Sequence, residues 1–269
     1  MKYAVIGNPI AHSKSPWIHA AFAEALSISL TYERVLSPLD GFATTVRQLM
    51  AQGYAGANVT VPFKFEAFAL ADELSDEATA AKAVNTLTFK QGKIIGDNTD
   101  GVGLLHDITQ NLHVNLMHKH VLLMGAGGAA YGVVLPLLRA GARLFVANRS
   151  ADKAIAMAQT FNAMGLYLPI QAGGYDAVEH QVFDVIINAT SSGLANALPP
   201  ITATNFTPQT LAYDMMYGQD TLFLQQARAC HAQVADGLGM LVEQAAEAFF
   251  IWHGRRPDTT SVIQALRQS

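Results

Sequence analysis

Short apolar runs alternate along this chain with longer stretches in which apolar residues recur every three or four positions, the pattern of βαβ units around a parallel sheet. In a first block, strands are predicted at Lys2–Gly7, Thr31–Leu36, Gly56–Val61, Ala83–Phe89 and Lys93–Gly96, with helices near Pro16–Leu26, Gly41–Gln52 and Phe65–Leu70. A second block opens after Asn98-Thr99-Asp100-Gly101. It reads as a helix (Val102–Asn111), a strand (His120–Met124), a glycine-rich turn and a helix to Arg139. A strand (Arg143–Ala147), a helix from Ala151, the apolar run Asp184–Ala189 and a strand (Leu211–Met215) follow. The tail, Leu238–His253 and Thr260–Leu266, is helical, and its spacing fits packing on either block. The sequence has no internal repeat and no low-complexity linker.

Composition narrows the class without changing this picture. Of 269 residues 51% are hydrophobic and only 14% charged, which excludes a disordered chain. A net charge of −4 advertises no basic surface for nucleic acid or an anionic membrane, so a small soluble ligand is the expected partner. The single cysteine, Cys230, has no disulfide partner and no CxxC is present, which fits a reducing compartment. The first residues read as a strand ending in Gly7 rather than a leader, and no run approaches the roughly 20 apolar residues that span a bilayer. A cytoplasmic protein is expected. His118 and His120 lack metal partners in their surroundings and are expected at surface or strand positions, and Trp252 with Phe249 and Phe250 as core anchors of the last helices.

The turn Gly125-x-Gly127-x-x-Ala130 follows a strand and opens a helix, the setting of a dinucleotide fingerprint. Glycines there let the backbone approach a pyrophosphate, whose charge then sits at the helix N-terminus. A plain tight β–α turn would have the same glycines. The next strand separates cofactors: an NAD site would place Asp or Glu about 20 residues on. Here the strand ends instead in Asn148-Arg149-Ser150, with Lys153 following. Two cations and an amide suit a dianionic 2′-phosphate and favour NADP over NAD. Ser150 would also serve as an ordinary helix cap.

Three polar segments stand out in the first block. In Gly7-Asn8-Pro9-Ile10-Ala11-His12-Ser13-Lys14-Ser15-Pro16, Ser13 and Ser15 can offer two hydroxyls to one carboxylate, although Ser15 could equally cap the helix that Pro16 begins. In Asn58-Val59-Thr60-Val61-Pro62-Phe63-Lys64, alternation puts Asn58 and Thr60 on one face, and Pro62 stops sheet pairing so that Lys64 is presented at the strand's end. Taken alone, Lys64 would read as a solvated lysine at a helix start. The third segment sets Asn85 on a strand, followed by Gly96-Asp97-Asn98-Thr99-Asp100-Gly101, which has the look of any helix-capping turn.

Taken together, these segments resemble the shikimate dehydrogenase family over essentially the whole chain. The resembling stretches are GNPIAHSKSP (7–16), NVTVPFK (58–64), AVNT (83–86), GDNTDGVG (96–103), GAGGAA (125–130), NRS (148–150), NATSSG (188–193), YDMMY (213–217) and DGLGMLVEQA (236–245). The resemblance implies an α/β substrate-binding domain over 1–101, completed by 238–269, and a Rossmann dinucleotide-binding domain over 102–237. It implies reversible reduction of 3-dehydroshikimate to shikimate by NADPH, in chorismate and aromatic amino-acid biosynthesis. A paralogue acting on quinate with relaxed cofactor use, or a non-catalytic NADP-binding regulator, would share the scaffold.

Carried over residue by residue, the resemblance makes Lys64 and Asp100 the catalytic pair. Ser13 and Ser15, with Tyr217, would hold the substrate carboxylate, and Thr60, Asn85, Asp100 and Gln244 its ring hydroxyls, with Asn58 shaping the pocket. Gly125, Ala126, Gly127, Gly128 and Ala129 would cradle the pyrophosphate. Asn148, Arg149, Ser150 and Lys153 would hold the 2′-phosphate, and Thr190, Met215, Gly237 and Met240 would line the nicotinamide half. No metal is implied, since a lysine supplies the electrophilic assistance. The resemblance is compatible with a monomer or a homodimer. One departure stands out: many members carry a basic residue just after the glycine turn, where this chain has Tyr131.

Overall fold

The computed structural model describes residues 1–165, 168–190 and 197–268, so Ser191, Ser192 and Gly193 of the NATSSG stretch lie outside the described residues. The chain divides into two compact units, Met1–Gly103 with Leu241–Ser269, and Leu104–Met240.

The first unit runs β1 (Lys2–Gly7), α1 (Ser15–Ala25), β2 (Thr31–Leu36), α2 (Phe42–Ala51), β3 (Tyr54–Val59), α3 (Lys64–Leu70), β4 (Glu73–Leu74), α4 (Asp76–Ala81), β5 (Thr86–Lys90) and β6 (Lys93–Asp97). Its strands lie in the order β2-β1-β3-β5-β6-β4. Pairing is parallel from β2 to β3 and antiparallel on both sides of β5, so β3 and β6 run the same way. The hairpin between β5 and β6 turns on Gln91 and Gly92, both at positive φ (52° and 78°), the conformation a two-residue loop needs to match strand twist. Ile6, Phe42, Val59, Phe63, Val84 and Leu87 form the core under one face.

Helix α5 (Asp100–His106) begins in the first unit and continues into the second, which then runs β7 (His120–Met124), α6 (Gly128–Arg139), β8 (Arg143–Ala147), α7 (Ala151–Asn162), β9 (Gln171–Gly173), β10 (Val185–Asn188), β11 (Leu211–Asp214), α8 (Leu222–Ala229) and β12 (Gln233–Ala235). All strands are parallel, in the order β12-β11-β10-β7-β8-β9, the doubly wound Rossmann arrangement. Central strands β7 and β10 are apolar almost without a break, because helices on both faces bury them.

The tail forms α9 (Leu238–His253) and α10 (Thr260–Gln268). From Leu241 onward it belongs to the first unit, where Val242, Ala245, Phe249, Val262 and Ile263 pack with Ile18 and Phe22 of α1. Arg256 reaches both Glu243 (2.9 Å) and Glu247, and Thr259 Oγ1 donates to Glu243 (2.6 Å), tying the turn between the last helices to α9.

Strands β1, β2, β7 and β8 have the predicted bounds. Others differ for local reasons. β3 stops at Val59 because a turn begins at Thr60, whose carbonyl accepts from Phe63 N (3.1 Å), so Thr60 follows the strand instead of sharing it with Asn58. Asn85 likewise precedes β5. The helix expected over Val102–Asn111 begins earlier, at Asp100, and ends in a wider π-helical turn over Asp107–Asn111. Phe249 is fully buried but Phe250 is 43% exposed, since neighbours on a helix point about 100° apart and only one can face the core. Trp252 stacks on Tyr3 (4.4 Å) as an anchor, and His118 and His120 are exposed.

Candidate functional site

Because β3 and β6 are parallel and β5 runs against them, the end of β3, the start of β5 and the end of β6 lie at one edge of the first sheet. Register sets Asn58 beside Thr86, and Thr86 beside Asp97. Lys64 opens α3, its backbone oxygen accepting from Val84 N (2.9 Å). Asp100 opens α5, its N–H bonded to Asn98 Oδ1 (3.1 Å), while Asn98 Nδ2 donates to Ala83 O (3.0 Å). These fixings bring Lys64 Nζ to 2.5 Å from Asp100 Oδ2, with side-chain exposures of 29% and 13%. The pair is sheltered yet reachable, and it joins a proton donor to an acceptor.

Asn85, only 2% exposed, holds the other carboxylate oxygen: its Nδ2 donates to Asp100 Oδ1 (2.8 Å) and Thr99 Oγ1 (3.0 Å). Its Oδ1 accepts from Thr99 N (2.9 Å). Neighbouring Asp97 accepts from Ser75 Oγ (2.7 Å) and Asn98 N (2.8 Å), and burial nevertheless raises its carboxyl above the ordinary range.

The two serines stand at the start of α1. Lys14 occupies the cap position and no side chain caps the helix, so Ser15 is buried without that duty. Ser13 Oγ accepts from Ser15 N (3.3 Å), and Arg34 of β2 grips the Ser13 carbonyl with Nε (3.0 Å) and Nη2 (2.6 Å). The loop therefore presents two hydroxyls braced by a guanidinium. Thr60 and Gln244 are half-buried, and Gln244 Nε2 donates to Leu241 O of its own helix (2.7 Å).

In the second unit, β7 and β10 mark the point where strand order reverses, and ligands of such sheets bind outside the carboxyl ends there. Gly125 takes φ +108°, and a Cβ on it would lie 3.2 Å from Ala189 O and 3.3 Å from Thr190 Cγ2. A Cβ on Gly127 would meet nothing within 4 Å, and no side chain caps α6. Backbone N–H groups thus open onto free space at a helix start, a cradle that fits a pyrophosphate. Asn148 Nδ2 donates to Ser150 O (3.0 Å), and Ser150 sits at the N-cap position of α7 without a capping bond from its side chain. Arg149 and Lys153 are exposed, and no carboxylate pairs with either among the described residues. The donor set fits a 2′-phosphate. Tyr131, half-buried beside Phe161 (5.9 Å), adds no charge.

Thr190, Met215 and Gly237 follow β10, β11 and β12 at adjacent ends of the sheet. Asn188 Oδ1 accepts from Thr190 N (3.1 Å) and Oγ1 (2.7 Å), and Asn188 Nδ2 donates to buried Asp214 (3.2 Å). A Cβ on Gly237 would fall 2.2 Å from Met215 O. Met240 is buried in the first turn of α9, where Asp107 abuts Gly239 and accepts from Tyr213 Oη (2.6 Å). Tyr217 is 39% exposed, and partial burial raises its phenol above the ordinary value.

The first unit thus gathers Ser13, Ser15, Thr60, Lys64, Asn85, Asp100 and Gln244, and the second holds Tyr217 and every cofactor candidate. Three supporting residues were not singled out from sequence: Tyr32, Arg34 and Thr86. The alternation of β2 does place Tyr32 and Arg34 on one face, but nothing in that spacing names their partners across the sheet. Among the described residues, no group of three or more His, Cys, Asp or Glu could hold a metal ion, and no helix is long and apolar enough to cross a membrane.

A Rossmann sheet with a glycine turn open at Gly127 and cations that no carboxylate pairs among the described residues, in a chain that also carries a sheltered lysine–carboxylate pair, defines a dinucleotide-dependent oxidoreductase. Residues 5–87 match the family profile described as shikimate dehydrogenase substrate binding domain. Residues 107–197 match shikimate / quinate 5-dehydrogenase, and 237–267 the shikimate 5'-dehydrogenase C-terminal domain. A shikimate dehydrogenase (NADP(+)) of Methylobacillus flagellatus is 58% identical over 99% of this chain and 98% of its own length. An Ael1 enzyme from Pseudomonas putida is 46% identical with a TM-score of 0.94, covering 98% of this chain and 97% of that one. Shikimate 5-dehydrogenase from Thermus thermophilus, solved with NADP(H) and shikimate, is 33% identical with a TM-score of 0.88, covering 100% and 99%. The chain belongs to the shikimate dehydrogenase family.

Proposed function

We propose that this protein catalyses the reversible NADPH-dependent reduction of 3-dehydroshikimate to shikimate in aromatic amino-acid biosynthesis. The observation that carries this reading is the Lys64–Asp100 pair at 2.5 Å, in a chain 58% identical to a protein named for that activity. The first unit acts as the substrate domain and the second as the nucleotide domain. The protein works in the cytoplasm, as a monomer or a homodimer.

When bound, NADPH supplies the hydride. The chain's own residues handle the rest. Ser13 and Ser15, with Tyr217, hold the ring carboxylate, and Thr60, Asn85, Asp100 and Gln244 orient the hydroxyls. As the ketone carbon is reduced its oxygen gains negative charge, and the Lys64 ammonium donates a proton to it. In the oxidative direction the neutral Lys64 amine removes the hydroxyl proton. Asp100 aims Nζ through their 2.5 Å contact. Gly125, Ala126, Gly127, Gly128 and Ala129 hold the pyrophosphate; Asn148, Arg149, Ser150 and Lys153 hold the 2′-phosphate; Thr190, Met215, Gly237 and Met240 line the nicotinamide half.

The test is formation of NADPH from shikimate and NADP by purified protein, run beside quinate and NAD. Shikimate with NADP is expected to give the highest kcat/KM. A preference for quinate with NAD would overturn the assignment in favour of a quinate enzyme, and no turnover with any pair would favour a regulator.

A further inference from the structure

Several polar groups of the first unit form one directed chain of hydrogen bonds, and its far end is Tyr32, which is not among the residues assigned to the substrate. Tyr32 Oη donates to Asn58 Oδ1 (2.7 Å). Asn58 Nδ2 donates to Asn85 O (3.2 Å) and Thr86 Oγ1 (3.0 Å). Thr86 Oγ1 donates to Asn85 Oδ1 (3.0 Å), and Asn85 Nδ2 donates to Asp100 Oδ1 (2.8 Å). Lys64 closes the series on Asp100 Oδ2 (2.5 Å).

The direction of this chain is forced. A backbone carbonyl only accepts and a backbone N–H only donates. Asn58 turns its Nδ2 to the Asn85 carbonyl, so its Oδ1 faces Tyr32 and the phenol must donate. The Thr86 hydroxyl, having accepted from Asn58, keeps its proton for Asn85 Oδ1. Thr99 N points at that same oxygen (2.9 Å), so the Asn85 amide nitrogen is turned toward Asp100. Reversing any link would set two donors or two acceptors face to face in a buried site, where an unmade bond is costly.

Tyr32 is built for the first position. Its ring stacks on fully buried His19 at 4.2 Å and 10°. Burial holds the phenol well above its ordinary value, so it keeps its proton, with Ser15 opposing the shift. Burial also pushes His19 down to about 3, leaving the imidazole neutral beside the ring.

We propose that Tyr32 is a positioning residue: acting through Asn58 and Thr86, it fixes the Asn85 amide and so holds the Asp100 carboxylate in place against Lys64. The proposal rests on Lys64 and Asp100 being the catalytic pair. Its signature is a loss in kcat that exceeds any change in KM, because the chain sets the geometry of proton transfer while Asn85 and Asp100 are only two of the seven groups placed on the substrate.

Thr86→Val removes a middle link, Thr86→Ser keeps the hydroxyl, and Tyr32→Phe keeps the stacked ring. For shikimate oxidation, kcat is expected to fall about 10-fold in Thr86→Val and about 5-fold in Tyr32→Phe, with KM for shikimate within about 2-fold of wild type. Thr86→Ser should stay within about 2-fold in kcat. The double variant should lose about 10-fold rather than roughly 50-fold, since both changes break one chain. Tyr54→Phe, removing a hydroxyl that donates to exposed Glu33, is a control expected to leave kcat unchanged.

Losses that multiply in the double variant would overturn the proposal. So would a rise in KM at unchanged kcat, or a Thr86→Ser variant as slow as Thr86→Val. If Tyr32→Phe does not fold, the Val-against-Ser comparison at Thr86 decides alone. Failure of the underlying assignment looks different: Lys64→Ala would then retain turnover. If Lys64→Ala is inactive while Tyr32→Phe and Thr86→Val match wild type, only the positioning chain is refuted.

Discussion

At the edges of its two sheets that carry the candidate residues this protein does opposite things. The first sheet ends in buried, mutually bonded side chains: Asn58, Asn85, Thr86, Asn98, Thr99 and Asp100 are all under 10% exposed. The second ends in a glycine turn that is open at Gly127 and in Arg149 and Lys153, with which no carboxylate pairs among the described residues. A compact ring acid that must be turned to one face calls for side chains fixed in advance, whose bonds are complete before it arrives. A pyrophosphate is a large, symmetric charge that backbone N–H groups can recognise where glycines remove bulk, and a 2′-phosphate is a dianion that exposed cations can hold. The contrast predicts that the first region is sensitive in kcat and the second in cofactor KM.

The sharpest way to break that contrast is Lys64→Ala. It should lower kcat for shikimate oxidation by about 10³-fold while the KM for shikimate changes far less, because the proton transfer matters in the transition state. Turnover near wild type in steady-state assays would remove the catalytic role and the contrast with it.

A smaller effect is expected on the other side. Arg149→Ala should raise the KM for NADP by about 10-fold with little change for NAD, since only NADP carries the 2′-phosphate that the charge-assisted bond serves. Equal increases for both cofactors would show that Arg149 does not read the phosphate.

The smallest effect concerns the packing behind the first site. His19 is fully buried, and burial lowers it from 6.5 to about 3, with His253 adding to the shift. Its folded-state value is depressed, so the unfolded chain takes up the proton first as pH falls. Stability is therefore full above pH 6.5 and is lost below it, down toward pH 3. Between pH 6.5 and 5.5 this amounts to about 1 kcal/mol. Denaturant titrations at those two values should show the loss in wild type and a flatter dependence in His19→Leu. His253, also lowered by burial, leaves a residual slope. An unchanged slope in the variant would mean that His19 is not the group responsible.

How much of this was legible beforehand follows from where each signal resides. β1, β2, β7 and β8 could be bounded to the residue, because their apolar runs end at turn residues or glycine. Strands β4, β9 and β12 have only two or three residues and carry no hydrophobic run, so their pairing partners alone make them strands. The glycine turn and the Asn148-Arg149 clamp were legible for a related reason: their chemistry is contained in consecutive residues. Lys64 and Asp100 were not, since each by itself reads as a surface lysine or a helix cap, and only a family resemblance joined them.

Local sequence, then, determined the longer elements, the Rossmann pattern and the preference for a 2′-phosphate, all of which depend on spacing within short segments. Only the tertiary structure decided that Ser15 is free of capping duty and that Tyr32 reaches Asn58, and it set Lys64 and Asp100, paired beforehand by resemblance alone, 2.5 Å apart. Those facts depend on register between strands β1, β2, β3, β5 and β6 and on where each helix begins, and a hydrogen bond across a sheet is set by the distance between segments that no single segment encodes.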